Sequence, residues 1–224
     1  EAILKNYGIK TPIHIIPSGI KWEEFQGYDR KESRKFFGFF DDNIVFIYLG
    51  RVAREKNIPF LLQVFAELMK DENLRQRIKF LLIGGGPELD SIKQMATEMG
   101  LGEKLVFTGM VPKEKVPFYY AAGDIFIYSS VTETQGLVIA EAMASGLPVV
   151  AVKAMGVEDA VVHERTGFLC GLNKDEFIFY IKRLLADKNL YEKFSKQARI
   201  HAQEFSSRRM CERLIGLYQE VIDR

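Results

Sequence analysis

The sequence predicts an α/β protein built on one parallel sheet of about six strands, with helices on both faces of the sheet. Short apolar runs rich in β-branched and aromatic residues alternate with segments of helical periodicity between residues 43 and 169. The runs are apolar almost without interruption, which is typical of strands buried on both faces of a parallel sheet. Alternation at this spacing favours right-handed crossover units and a Rossmann-like three-layer sandwich.

The strands and helices follow one another in order along the chain. A helix at Asp29–Phe40, capped by Asp29, precedes the first strand at Asn43–Leu49. Later strands are predicted at Ile78–Ile83, Leu105–Thr108, Ile125–Tyr128, Val149–Val152 and Thr166–Leu169. Helices are predicted at Ile58–Lys70, Glu88–Met99, Lys113–Ala122, Leu137–Ala144, Val157–Val162, Asp175–Asp187, Asn189–Phe205 and Ser207–Ile222. Apolar residues of the last helix are expected to be partly exposed or covered by a neighbouring molecule.

Composition excludes several classes of protein. The chain has 224 residues, of which 47% are hydrophobic, and its net charge of +1 gives no global basic field for nucleic acid. No apolar run approaches the roughly 20 residues of a membrane span. Cys170 and Cys211 lack metal or redox spacing, so we expect a cytoplasmic protein with reduced thiols. The basic, phenylalanine-rich segment 29–40 would suit a membrane surface, although an ordinary amphipathic helix is the favoured interpretation.

Glycines and charged residues follow the strands at the ends where open α/β sheets bind ligands. They are Gly50, Arg51 and Lys56 after the first strand, Gly84–Gly86 after the second and Glu133 after the fourth. Glycine-rich turns that lead into helices present backbone N–H groups to an anion, and two fixed cations suit a diphosphate. Without such a ligand, the glycines would form a tight turn and each cation a surface salt bridge, for example to Glu55.

Two glutamates, Glu133 and Glu141, lie eight positions apart with Gly136 between them. Glu141 falls inside the apolar helix LVIAEAMA, where a carboxylate loses hydration free energy unless a partner or a ligand compensates it. An arginine or a backbone donor would serve as that partner as well as a ligand would. The spacing alone therefore leaves the function of the pair open.

The stretch from Ser129 to Val152, SSVTETQGLVIAEAMASGLPVVAV, resembles the signature of the retaining glycosyltransferases of GT-B family 4, the glycosyl transferases group 1. In that family the first glutamate contacts sugar hydroxyls and the second holds the ribose of the nucleotide. GRVAREKN at residues 50–57 is similar to the family's GR(L/F)xxEKG, whose arginine and lysine hold the donor diphosphate. The resemblance covers nearly all of the chain and implies the C-terminal, donor-binding half of a GT-B fold.

The resemblance assigns roles to individual residues. Catalytic roles fall to Arg51, Lys56 and Glu133. Donor-binding roles fall to Gly50, Gly84, Gly85, Met110, Gly136, Leu137, Val138 and Glu141. One departure concerns the family's Gly-Gly-x-Pro-Glu, which reads Ala-Met-Gly-Val-Glu at residues 154–158.

The resemblance also implies an organisation and a reaction. Residues 1–20 would end a linker from an N-terminal acceptor domain, residues 21–205 would bind the nucleotide sugar, and residues 206–224 would cross back to the other domain. The expected reaction transfers a hexose from a nucleotide diphosphate sugar, with UDP-glucose favoured, to a lipid or saccharide, without a metal ion or cofactor. TETQG at residues 132–136 resembles the diacylglycerol glucosyltransferase branch.

Two other classes of function stay open at this point. A glycoside hydrolase would use Glu133 and Glu141 as paired carboxyl groups roughly 5–9.5 Å apart. A non-catalytic module would bind a nucleotide sugar without transferring it. His14, His163 and His201 match no motif of the family, so we expect them to be structural or on the surface.

Overall fold

The computed structural model describes residues 2–223 and confirms the predicted sheet. Its strands are β1 (Ile44–Leu49), β2 (Ile78–Ile83), β3 (Leu105–Phe107), β4 (Ile125–Tyr128), β5 (Val149–Val152) and β6 (Gly167–Cys170). All their pairings are parallel, and the strands lie in the order β3-β2-β1-β4-β5-β6. Glu1 and Arg224, the outer limits of the predicted linker 1–20 and of the predicted segment 206–224, lie outside the described residues.

Helices cover the sheet on both faces. They are α1 (Ala2–Asn6), α2 (Arg30–Phe36), α3 (Ile58–Leu68), α4 (Glu72–Arg77), α5 (Leu89–Glu98), α6 (Val116–Ala121), α7 (Leu137–Ala144), α8 (Met155–Ala160), α9 (Lys174–Ala186), α10 (Lys188–Ala202) and α11 (Ser207–Ile222). α3 packs with α5 and α9, whereas α7 packs with α8 and α10. These two groups are the outer layers of the Rossmann-like three-layer sandwich, and the strands between them are almost entirely buried.

The predicted helix at Asp29–Phe40 is too long. Asp29 caps it as expected, because its carboxylate accepts from the N–H groups of residues 31 and 32, but the helix ends at Phe36. Gly38 then adopts a left-handed φ of 71°, and the Phe39 N–H bonds back to the Arg34 carbonyl at 2.8 Å. This glycine-terminated motif closes a helix and leaves the next residues free to enter β1.

Other helix boundaries also differ from the prediction. α4 was not predicted; Asp71 caps it by accepting from the N–H groups of residues 73 and 74. α8 begins and ends two residues before the predicted helix Val157–Val162. Residues 113–115 and 203–205, predicted as parts of helices, form 3₁₀ turns beside α6 and α10. Each difference lies at an element end or in a short polar segment, where apolar periodicity is least informative.

A buried ion pair fixes α2 to the sheet. Arg34 is 1% exposed and donates to the Asp124 carboxylate at 2.6 Å and to the Ala122 carbonyl at 3.1 Å. Asp124 lies directly before β4 and also accepts from the Val45 N–H of β1 at 2.7 Å and from Arg30. Two of the four cations in segment 29–40 are therefore bound to one carboxylate rather than free for another surface.

The outer face of α11 carries exposed apolar side chains, which confirms the prediction for this helix. Tyr218 and Val221 are each 60% exposed, whereas Met210 is buried. At the start of the helix, Ile20 and Ser206 form a parallel β-bridge. Segments far apart in the sequence therefore lie side by side at this point of the domain.

Candidate functional site

The order of the strands reverses between β1 and β4, so the loops that follow these two strands are neighbours. Such a switch point, at the C-terminal ends of the strands, is where open α/β sheets bind ligands. The loop after β1 carries Lys56 and the loop after β4 carries Glu133. Their side chains meet there, with 2.9 Å between Lys56 Nζ and Glu133 Oε2.

Both carboxylate oxygens of Glu133 accept hydrogen bonds. Oε2 accepts from Lys56 Nζ and from the Tyr128 hydroxyl. Oε1 accepts from the N–H groups of Thr134 at 3.1 Å and Gly136 at 3.4 Å. Burial alone would raise the pKa of Glu133, but the hydrogen bonds from Tyr128 and Lys56, with the Lys56 charge, lower it from 4.5 to about 2. Glu133 is therefore an ionised acceptor, not a proton donor, at neutral pH.

Two hydroxyl groups at the end of β4 hold the loop that carries Lys56. Ser129 Oγ shares its one proton between the carbonyls of Lys56 at 2.8 Å and Asn57 at 3.0 Å. Ser130 Oγ donates to the Glu55 carbonyl at 3.2 Å. Asn57 completes the turn in a left-handed conformation with φ 50°. Glu55 thus helps to hold the loop through its backbone carbonyl. The ion pair of Lys56 is with Glu133, not the surface salt bridge to Glu55 that the sequence allowed.

A cavity of 470 Å³ opens at the ends of β1 and β2. Its lining consists of Leu49, Gly50, Arg51, Ile83, Gly84, Gly85, Gly86, Pro87, Met110, Val111 and Val116. The Met110 side chain is 88% exposed and Arg51 is also exposed. The walls therefore combine apolar surface, glycine backbone and a cation, a lining that offers contacts to an apolar group and to an anion.

The glycines of this cavity are required by the close approach of two loops. A Cβ on Gly84 would lie 1.9 Å from the Gly50 carbonyl oxygen, and one on Gly86 would lie 2.2 Å from that of Val52. The Gly84 N–H donates to the Gly109 carbonyl at 3.0 Å. The close packing of the two loops is thus enough to explain why glycines occur at these positions. Anion binding by their N–H groups stays a prediction.

α7 begins directly after the loop that carries Glu133. Gly136 caps it with φ 63°, and the first N–H groups of the helix, including those of Leu137 and Val138, have no acceptor within the helix. A Cβ on Gly136 would lie 2.8 Å from the Gly156 carbonyl oxygen, and the Gly156 N–H donates to the Glu133 carbonyl at 3.0 Å. Gly156 is the one glycine kept in segment 154–158, and it stands where the two backbones meet.

Glu141 lies on α7, one turn beyond Leu137, and is partly buried. Burial raises the pKa of its carboxyl from 4.5 to about 7, against the opposing effects of the Lys113 charge and the Tyr120 hydroxyl. The Tyr120 hydroxyl donates to the Val138 carbonyl at 2.9 Å. The Glu141 carboxylate is therefore incompletely compensated in the protein, whereas the sequence left open whether a partner or a ligand compensates it.

Most of the predicted residues form two adjoining groups, while Leu137, Val138 and Glu141 lie along α7. Lys56, Glu133 and Gly136 are in direct contact, whereas the glycines and Arg51 line the cavity. Tyr48 of β1 links the groups, because its hydroxyl donates to the Arg51 carbonyl at 3.0 Å and its ring stacks on that of Tyr128 at 5.9 Å. Sequence reasoning missed both tyrosines, as well as Lys113, Tyr120 and the two serines. Polar side chains at the ends of the apolar strands IVFIYL and IFIY were the available indication.

The sequence profile described as Glycosyl transferases group 1 matches residues 29–201. The chain belongs to this family. The match spans both the β1 loop and the stretch from Glu133 to Glu141, so the resemblance carried by those motifs is confirmed. Membership of a glycosyltransferase family also removes the reason to read the two glutamates as a hydrolase pair.

Curated proteins named as glycosyltransferases or glycolipid synthases resemble the chain over much of its length. An α-monoglucosyldiacylglycerol synthase of Streptococcus pneumoniae is 35% identical over 154 residues, which cover 66% of this chain and 34% of the synthase. A D-inositol 3-phosphate glycosyltransferase of Catenulispora acidiphila is 30% identical over 218 residues, 94% of this chain and 52% of that enzyme. The chain thus spans about half or less of the length of these relatives.

A solved structure of Anabaena HepE in complex with UDP-glucose superposes on the chain with a TM-score of 0.79. The two are 25% identical, and the superposition covers 91% of this chain and 57% of HepE. The fold is therefore that of one half of a GT-B glycosyltransferase.

The histidines and the helices add little to the site. His163 Nδ1 accepts from the Leu169 N–H at 3.0 Å, a structural role, and His14 is exposed. Burial lowers the pKa of His201.

Within residues 2–223, no helix combines the length and apolarity that crossing a membrane requires. No group of three His, Cys, Asp or Glu side chains in that range is arranged to hold a metal ion.

Proposed function

We propose that the chain is the donor-binding half of a retaining glycosyltransferase that transfers a hexose from a nucleotide diphosphate sugar, with UDP-glucose favoured, to a lipid or saccharide. The observation that carries the proposal is the contact of Lys56 with Glu133 at the switch point, beside a cavity lined by glycine backbone and Arg51. Membership of the glycosyl transferases group 1 and the likeness to HepE, solved with UDP-glucose, support it.

Each residue has a role in this proposal. Arg51, Lys56 and the N-terminus of α7 would neutralise the charge that develops on the leaving diphosphate, without a metal ion. Glu133, ionised and fixed by four donors, would accept from hexose hydroxyls, and Glu141 would accept from the ribose. The base would lie against the apolar cavity wall near Met110. Glu133 and Glu141 would orient the donor rather than transfer protons.

The acceptor in this proposal is a lipid first and a saccharide second. The support is the TETQG segment and the relative named α-monoglucosyldiacylglycerol synthase. An N-terminal acceptor domain would complete the enzyme, since the relatives are longer than this chain. A cytoplasmic enzyme of this kind would reach its lipid at the membrane surface. Lys31 and Lys35, with the exposed rings of Phe36 and Phe40, are the candidate contacts in this half.

Calorimetry with UDP, UDP-glucose, GDP-mannose and ADP-glucose tests the donor assignment. Glu141→Ala is expected to weaken UDP and UDP-glucose equally, by about 1.5–3 kcal/mol, the usual worth of a hydrogen bond to a charged group. Glu133→Ala is expected to spare UDP and to weaken UDP-glucose alone. Equal losses for both ligands in Glu133→Ala, or no binding of any nucleotide sugar by the unchanged chain, would contradict the assignment.

A module that binds a nucleotide sugar without transferring it is the alternative within this fold. The isolated chain is expected to bind the donor and to give no turnover, because closure with the acceptor half excludes water and completes the site. The full-length protein is expected to transfer the hexose to a lipid or saccharide and to keep the anomeric configuration, as read by NMR of the product. Donor binding by a full-length protein that never turns over would favour the sensing module.

A further inference from the structure

Tyr128 occupies the last position of β4 and is 1% exposed. Its hydroxyl donates to Glu133 Oε2 and accepts from Lys56 Nζ at 3.2 Å. Because Lys56 Nζ and Glu133 Oε2 also contact each other at 2.9 Å, the three groups form a closed triangle. One hydroxyl therefore touches both the residue proposed to bind the diphosphate and the residue proposed to bind the sugar.

The ring of Tyr128 has little freedom to move. It stacks on Tyr48 with 5.9 Å between ring centroids and 15° between planes, and on Phe126 with 5.8 Å and 20°. Tyr48 is fully buried and its hydroxyl donates to the Arg51 carbonyl at 3.0 Å. The three rings thus form a rigid layer beneath the switch point, and rigid neighbours hold a side chain in one geometry.

The protonation of the hydroxyl suits this position. Burial, the hydrogen bond to Glu133 and the Glu133 charge raise the pKa of Tyr128, so the hydroxyl keeps its proton at neutral pH. A hydroxyl has one proton to donate and lone pairs to accept with. Here the proton goes to a carboxylate and a lone pair faces an ammonium group, so the hydroxyl stabilises both charged side chains in their observed positions.

We propose that Tyr128 is a positioning residue for donor binding, which holds Glu133 where it accepts from the sugar and Lys56 where it meets the diphosphate. The inference rests on the proposed function and adds to it a residue that touches neither ligand. The plain alternative is that Tyr128 only stabilises the fold. The two roles predict different results. Only a positioning role of Tyr128 changes the preference of the chain for a nucleotide sugar over the free nucleotide.

Tyr128→Phe is the test, since it removes the hydroxyl and keeps the ring. We expect the ratio of UDP-glucose affinity to UDP affinity to fall by about five- to tenfold, with the larger loss for UDP-glucose. Tyr191→Phe is the control: it also removes one tyrosine hydroxyl, which donates to the Asp124 carbonyl at 3.1 Å, at the opposite end of the sheet from the site. Its affinity ratio is expected to equal that of the unchanged chain, whatever stability it loses.

A double-mutant cycle with Glu133→Gln separates action through Glu133 from a general effect. If Tyr128 acts through Glu133, Tyr128→Phe changes the ratio little in the Glu133→Gln background. If the losses in the affinity ratio caused by Tyr128→Phe and by Glu133→Gln simply add in the double variant, the proposal is overturned. An unchanged ratio in the single variant Tyr128→Phe would also overturn it.

A measurement without ligand completes the design. In NMR spectra of the chain labelled at glutamate carboxyl carbons, Tyr128→Phe is expected to raise the pKa of Glu133 from about 2 towards its ordinary value. An unchanged titration would overturn the positioning role even where the donor binds as proposed. Failure of the unchanged chain to bind any nucleotide sugar would overturn the proposed function, and this role with it.

Discussion

Glu141→Gln is expected to make the protein more stable at neutral and alkaline pH. The wild-type carboxyl lies in an apolar helix, where burial raises its pKa from 4.5 to about 7. An amide of the same shape needs no ionisation, so it avoids the unfavourable burial of a charge. The gain in the free energy of unfolding then depends on the difference between the pKa of Glu141 in the folded chain and its pKa in the unfolded chain.

The pH window follows from those values. Below pH 4.5 the carboxyl is protonated in both the folded and the unfolded chain, so wild type and variant are about equally stable. Between pH 4.5 and about 7 the unfolded chain ionises Glu141 while the folded chain keeps the proton, and the wild type loses stability. At about 1.4 kcal/mol for each pH unit, the loss reaches about 3 kcal/mol above pH 7.

Urea unfolding at pH 5, 6, 7 and 8 measures this difference. The control Glu220→Gln removes an exposed carboxylate from α11 and is expected to change stability by less than about 0.5 kcal/mol. A Glu141→Gln variant that is no more stable than wild type at pH 8, or whose advantage does not grow with pH, would refute the reasoning. In the same variant UDP-glucose binding is expected to weaken, since the carboxylate that this substitution removes is proposed to hold the ribose. UDP-glucose suits the pH series better than UDP, whose terminal phosphate titrates near pH 6 as phosphate monoesters do.

Two further substitutions, with one control, test the packing at the two ends of the sheet. Asp124→Ala removes the carboxylate that faces the buried Arg34 guanidinium, and we expect a loss of about 3–5 kcal/mol in urea unfolding; a loss below about 1 kcal/mol would mean that the pair contributes little. Gly84→Ala would place a Cβ 1.9 Å from the Gly50 carbonyl oxygen, so a loss of more than about 2 kcal/mol is expected. Gly216→Ala in α11, where a Cβ meets nothing within 4 Å, is expected to stabilise by about 0.5–1 kcal/mol, and a shift of both variants in the same direction would contradict this account.

Much of the fold could be predicted because apolar runs are bounded by turn residues. β2, β4, β5, α7 and α11 begin and end where the sequence predicts. Gly136 and Gly146 bracket α7, and each adopts the positive φ that ends or starts a helix. α4 escaped prediction because its sequence ENLRQR has no apolar face to follow, and its main mark is the capping Asp71.

The site was predictable in its parts but not in its contacts. Motif spacing identified Lys56 and Glu133, yet nothing in the sequence says that they pair, because 77 positions separate them. In the sequence, Tyr128 looks like one more residue of an apolar strand. Its place in the site becomes visible only once the neighbouring strand β1 stacks Tyr48 against its ring. Contacts of this kind depend on strand order, which local periodicity does not specify.

The strand order has a consequence for how the chain is made. β1 ends at Leu49 and its neighbour β4 starts at Ile125, so about 75 residues must be synthesised before the inner edge of β1 is covered. At roughly 5–20 residues per second, that interval lasts about 4–15 s. Throughout it, the run IVFIYL presents an unpaired strand edge without a single charge, the type of segment that pairs with other chains. Chaperones that recognise extended apolar segments are therefore expected to bind the nascent chain at β1, which becomes a central strand of the finished sheet.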